Sequence, residues 1–195
     1  MPITTTGRYN GLATGLHWAI AALIVFQIGY AWWGLEPLKD DSPEQARALA
    51  LHFSVGLTIL IFSLARLGVR IALPPPRLPS DMPAMERNLA RVTHTLFYLL
   101  IIGIPLGGWV LASLRPEPIV YFGLFEWPHL PLLGGLDKVA RHAIGKPVGA
   151  MHTVVLVWTT VILLVLHIGG ALKHQLTGPG VLWRMVPFLR RPFVR

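Results

Sequence analysis

Four stretches of this chain contain no Asp, Glu, Lys or Arg: Gly11–Leu35, Ala48–Ala65, Val92–Leu114 and Pro147–Leu172. A bilayer core about 30 Å thick needs roughly 20 apolar residues in a helix, with a range near 17–25. All four stretches meet that length. A lone strand would leave backbone polar groups unpaired in lipid, so each is read as a helix. The expected fold is all-α: an integral membrane four-helix bundle forming one domain over 1–195, with spans near 11–35, 48–70, 92–114 and 147–173. The first apolar run exceeds the roughly 7–15 residues of a cleaved signal core, so it is read as a retained helix. Composition agrees, with 53% hydrophobic and 13% charged residues, where a soluble domain carries about 25% charged. The absence of cysteine excludes disulfides, thiolate metal sites and cysteine catalysis.

The net charge of +8 sits between the apolar stretches. It therefore speaks to membrane topology rather than to nucleic acid. One set of flanks holds Arg8, Arg66, Arg70, Arg77, Arg87, Arg91, Lys173, Arg184, Arg190, Arg191 and Arg195, against the acids Asp81 and Glu86. The other set holds Lys39, Arg47, Arg115, Lys138, Arg141 and Lys146, against seven acids. The more basic set is expected inside, which places both termini in the cytoplasm (N-in/C-in) and the chain in the bacterial inner (cell) membrane.

The loops are rich in turn residues. Pro74–Pro83 cannot be helical throughout. The long outer loop, 115–146, contains FEWPHLPLLGG, where Trp127 suits a headgroup layer. In the third span, Pro105 with Gly103, Gly107 and Gly108 is expected to kink the helix or let something bulky approach its backbone.

Eight histidines punctuate this apolar chain. His129 and His142 fall in the outer loop, and His94 and His174 near inner helix ends. His17, His52, His152 and His167 lie within spans. Depth sorts these four into two layers, His52 and His152 outside, His17 and His167 inside. His152 and His167 are fifteen residues apart, a rise of about 22 Å and a rotational offset of about 60°, so both can face the bundle interior. Depth alone also admits His94 in place of His17.

Two imidazoles facing each other across a flat macrocycle would hold a six-coordinate haem iron. With both axial positions filled, no position remains for oxygen chemistry at the metal, and electron transfer is the remaining role. Two haems, one per leaflet, would make a path across the membrane. The competing reading is a set of interhelical hydrogen bonds or a proton path. Zinc is disfavoured, since it takes a tetrahedral set. Arg66 lies fourteen residues after His52, about 21 Å deeper and rotated by about −40°. It is placed to pair with a haem propionate or to snorkel at the inner boundary. Gly56, one turn after His52, leaves room for a ring or for helix packing.

The pattern resembles the bacterial cytochrome b561 family over most of the chain. The resemblance rests on GLHW (Gly15–Trp18), LHFSVG (Leu51–Gly56) and the arginines ending the second span (Arg66, Arg70). It rests also on HTLFYLLIIGIPLGG (His94–Gly108), the paired histidines of the fourth span and the closing LWRMVP (Leu182–Pro187). It implies a four-helix bundle with two haem b groups (iron), ligated by His17 and His167 at the inner face and by His52 and His152 at the outer face. It further implies electron exchange with quinone, and the smaller members resemble superoxide oxidase, which passes electrons from superoxide to ubiquinone. His174, seven residues past His167, occupies a position that lies near quinone in that group.

Arg141, His142 and Lys146 are the outer cations that an anion such as superoxide would meet. Three functions are thus in play. The first is a stand-alone oxidoreductase carrying electrons from superoxide or another donor to quinone. The second is a cytochrome b subunit anchoring a hydrogenase or another membrane dehydrogenase. The third is a proton or metal carrier without haem. The partners expected are membrane lipid, quinone and an electron donor, with no nucleic acid. No general base, nucleophile or phosphate-binding loop stands out, so no catalytic residue is assigned.

Overall fold

The computed structural model describes residues 7–76, 78, 82–177, 181–186 and 188–189. Four long helices dominate them: α1 Gly11–Leu35, α2 Pro43–Ala72, α3 Ala84–Ser113 and α4 Lys138–Thr177. Each is long and apolar enough to cross a membrane. α1 packs on α2, α2 on α3 and α3 on α4. The outward faces carry large apolar side chains such as Val25, Leu64, Leu99 and Ile162. That surface is stable only where lipid replaces water.

Local signals set where the helices begin. Asn10 caps α1, its Oδ1 accepting from Leu12 N at 2.8 Å. Ser42 caps α2, its Oγ accepting from Gln45 N at 3.1 Å, with Pro43 in the first turn. Asp137 caps α4 through Ala140 N at 2.8 Å. α4 thus begins nine residues before Pro147, the expected start of the fourth span. Charge ended the apolar window there, but charge does not end a helix. Arg141, His142 and Lys146, expected in a loop, are the opening turns of α4. Pro105 stays inside an unbroken α3.

Two helices contain π-helical turns, Tyr30–Leu35 in α1 and Met151–Leu156 in α4. Such turns are rare and are frequent at functional sites. No charge or periodicity signal marks them.

The α3–α4 connection contains a hairpin, β1 Ile119–Tyr121 paired antiparallel with β2 Phe125–Trp127. It turns through positive φ at Phe122 (48°) and Gly123 (74°). The hairpin lies against α2. Ile119 packs with Leu57 and Ala112, flanked by Phe53, Trp109, Tyr121 and Trp127. Backbone groups packed against apolar side chains need partners within the protein. Ser54, 1% exposed, supplies one. Its Oγ accepts from Phe122 N at 2.9 Å and lies 3.3 Å from Val120 O. Thr58 Oγ1 meets Tyr121 Oη at 2.9 Å, Trp109 Nε1 donates to Pro128 O, and Leu130 N donates to Ser113 Oγ.

At the opposite end the two ends of the described chain meet. Tyr9 N donates to Arg184 O at 3.2 Å, and Trp18 Nε1 to Met185 O at 2.8 Å. Trp183 is buried, with Arg8 and Arg184 against its ring. Of the expected connector Pro74–Pro83, residues 77 and 79–81 lie outside the described residues, as do the tail arginines Arg190, Arg191 and Arg195.

Candidate functional site

The four span histidines form two pairs. At the hairpin end, His52 of α2 faces His152 of α4 with ring centroids 6.1 Å apart and planes at 72°. At the termini end, His17 of α1 faces His167 of α4 at 6.3 Å and 70°. α4 contributes one ring to each pair. The backbones of α1 and α2 scarcely approach α4, so the bridging is done by side chains. Trp32 and Trp158, centroids 5.4 Å apart, also link α1 to α4.

These separations can be tested against a shared metal. Imidazole nitrogens bind metals at about 2 Å, so two rings on opposite sides of one ion stand with centroids about 6 Å apart. Both pairs match that spacing. Among the described residues no three His, Asp or Glu side chains converge on a self-sufficient metal cage. Facing pairs without a cage suit an iron whose other ligands come from a planar macrocycle.

The hydrogen bonding of His152 fits the same role. Its Nδ1 lies 3.0 Å from Ile104 O. A carbonyl only accepts, so Nδ1 carries the proton and Nε2 keeps its lone pair for a metal. Glycines make this approach feasible. A Cβ on Gly108 would stand 3.1 Å from His152 Cε1, and one on Gly107 3.7 Å from Nδ1. The bulky group expected beside the α3 glycines is therefore the His152 ring. His52 Nδ1 is buried and has no partner among the described residues. The space at Gly56 is taken by neither ring. The nearest group to a Cβ there is Gln27 Nε2, at 3.7 Å.

The termini-end pair has a third ring. His94 of α3 lies 5.7 Å from His167, and Phe97 5.3 Å, both edge-on. The structure thus brings together the two residues that depth alone left as rivals. α3 and α4 are packed neighbours, whereas α1 and α4 face each other across a gap bridged by rings. Arg66 NH1 donates to Ala13 O at 2.7 Å, tying α2 to α1 one turn before His17. Arg70 stacks over Tyr98 at 5.4 Å.

His174 lies apart from the paired rings, at the surface end of α4. Its Nε2 is 3.5 Å from Glu86 Oε2, and Lys173 Nζ donates to Glu86 Oε1 at 2.8 Å. Glu86 was absent from the expected site. Gln27 was missed as well, although an amide inside the apolar run Ala21–Ile28 was a signal.

At the hairpin end, an open pocket of about 530 Å³ is lined by Leu111, Leu114, Lys138, Arg141, His142 and Lys146. Arg141 is held rigidly there. It donates to Leu136 O at 2.8 Å, to Gly134 O at 2.9 Å and to Leu114 O at 3.4 Å.

Residues 8–188 match the family described as prokaryotic cytochrome b561. Cytochrome b561 homolog 2 of Escherichia coli (strain K12) is 31% identical over 172 residues, covering 88% of this chain and 86% of its own. Probable superoxide oxidase CybB of Yersinia pestis is 27% identical over 183 residues, covering 92% and 96%. The chain belongs to the prokaryotic cytochrome b561 family, b-type haem proteins that transfer electrons in membranes.

Proposed function

We propose that this protein carries single electrons across the bacterial inner membrane through two b-type haems, from superoxide at the outer face to ubiquinone at the inner face. The observation that carries the reading is the pair of facing imidazole sets at opposite ends of the bundle, 6.1 Å and 6.3 Å between centroids. Bound haem iron supplies reversible one-electron transfer.

His52 and His152 would hold one haem, and His17 and His167 the other, each offering an imidazole nitrogen to the iron. His17 is preferred to His94 because it comes from α1, which meets α4 through side chains alone, whereas His94 comes from α3, packed directly on α4. Ile104 O fixes the tautomer of His152. Arg66 holds positive charge beside the inner pair, where propionates require it. The basic pocket on α4 supports an anionic donor, since fixed cations raise the local concentration of an anion. Two superoxide ions release two electrons and leave as dioxygen. Quinone takes those two electrons and two protons. His174 donates or relays a proton at Nε2, with Glu86 and Lys173 holding its surroundings. The positive-inside rule supports placing both termini in the cytoplasm.

A reduced-minus-oxidised visible spectrum of the purified protein, with haem quantified per chain, tests this. About two low-spin b-type haems, indifferent to carbon monoxide, are expected. A colourless protein made with ample haem would end the reading and favour a proton or metal carrier. Two haems without superoxide-driven ubiquinone reduction would instead favour the dehydrogenase-subunit alternative.

A further inference from the structure

The hairpin-end pair contains an asymmetry. His152 has a partner for Nδ1 in Ile104 O, but His52 Nδ1 is buried without one. A second buried atom nearby is equally unpartnered, Gln27 Oε1 on α1. Gln27 is already bound to His52, because its Nε2 donates to the His52 backbone carbonyl at 2.7 Å. That bond fixes the sense of the amide. A carbonyl can only accept, so the NH₂ group must face His52 O and Oε1 must be the free atom. Of the two orphans, one is an acceptor. The other becomes a donor when the imidazole offers Nε2 to a metal. A buried amide in an apolar helix is costly unless its groups are used, and half of this one is used on His52.

We propose that Gln27 is the positioning residue of His52: its NH₂ group holds the His52 carbonyl, and a turn of the ring or amide when Nε2 takes a metal brings Oε1, unpaired in this structure, to accept the proton of Nδ1. The amide does for His52 what the Ile104 carbonyl does for His152. It sets the tautomer, turns the ring and tunes how strongly Nε2 donates.

This inference rests on the haem reading above, and its test separates the two. Wild-type protein, Gln27→Glu and Gln27→Met are purified and titrated potentiometrically, with ferric EPR recorded at each step. The outer haem is identified as the component lost in His52→Ala. A carboxylate is a stronger acceptor than an amide and thioether sulfur a far weaker one. Gln27→Glu should therefore lower the midpoint of the outer haem and Gln27→Met raise it, with opposite EPR shifts and the inner haem unmoved. Loss of the outer haem from the Met variant alone would also support the proposal. Both variants leaving the outer midpoint at its wild-type value would overturn it. So would shifts of the same sign in both, or loss of the outer haem from both, because these report packing rather than hydrogen bonding. If wild-type protein binds no haem, the functional reading itself fails, and this inference fails with it.

Discussion

The wedge between α2, α3 and the hairpin and the faces that α1 and α2 present to α4 are built from the same apolar alphabet, yet they solve different problems. In the wedge, most polar groups find partners, Trp127 Nε1 being a buried exception. Ser54 takes Phe122 N of the hairpin while donating to Ala50 O, Thr58 meets Tyr121, and Ser113 takes Leu130 N. Leu57, Ala112 and Ile119 pack there as a dry core. Facing α4 the helices stay apart, rings meet across the space, and His52 Nδ1 and Gln27 Oε1 wait without partners. The first region behaves as a scaffold. The second behaves as a cradle, completed by something larger than a side chain.

That contrast can be broken by mutation. The largest effects should fall on the cradle. His17→Ala and His52→Ala should each remove about one of two haems, read as pyridine haemochrome per chain, while the protein still purifies as a folded helical membrane protein by circular dichroism. Loss of both haems from either single variant would mean that the two sites are not separate. In the scaffold, Ser54→Ala removes the hydroxyl that takes Phe122 N, a loss of about 1 kcal/mol. It should lower the thermal midpoint in detergent and leave the visible spectrum unchanged. A spectral change would show that the wedge and the cradle are coupled.

A smaller effect sharpens the boundary. Gly108→Ala places a methyl 3.1 Å from His152 Cε1, so the ring must shift. Outer-haem EPR should change while stability moves little. Tyr121→Phe removes one hydroxyl bond to Thr58, a loss of about 1 kcal/mol in thermal unfolding. Lys173→Ala should be the mildest. Its pair with Glu86 is exposed, and such pairs contribute little, so no measurable change in the melting midpoint is expected. Any effect should appear in ubiquinone reduction.

The cradle was more legible in the sequence than the scaffold. Absence of charge marked the spans, and a rise of 1.5 Å per residue sorted the histidines into layers. Both are properties of single helices, which a linear chain displays. The hairpin was not legible. Its strands are three residues each, and its partners Ser54 and Thr58 lie more than sixty residues away on another helix. The start of α4 was not legible because an apolar window marks a span and not a helix end, which Asp137 sets here as the cap. The roles of Gly108 and Gln27 depend on which helix stands opposite, and no periodicity encodes that.

The π-helical turn at Met151–Leu156 bears on how this chain tolerates changes of length. Such a turn holds one residue more than the α-helix it replaces, so it stores an insertion without rotating its flanks. The fifteen residues from His152 to His167 then act as about fourteen α-helical steps, an offset near −40° rather than 60°. Deleting Val154 would draw out that surplus and leave both imidazoles on the interior side. Deleting Ile162, a residue of the same chemistry two turns on, would swing His152 by about 100° relative to His167. Along α4, then, the effect of a lost residue depends on its address more than on its identity, and the stretch beside His152 is where a gap in the gene would be quietest.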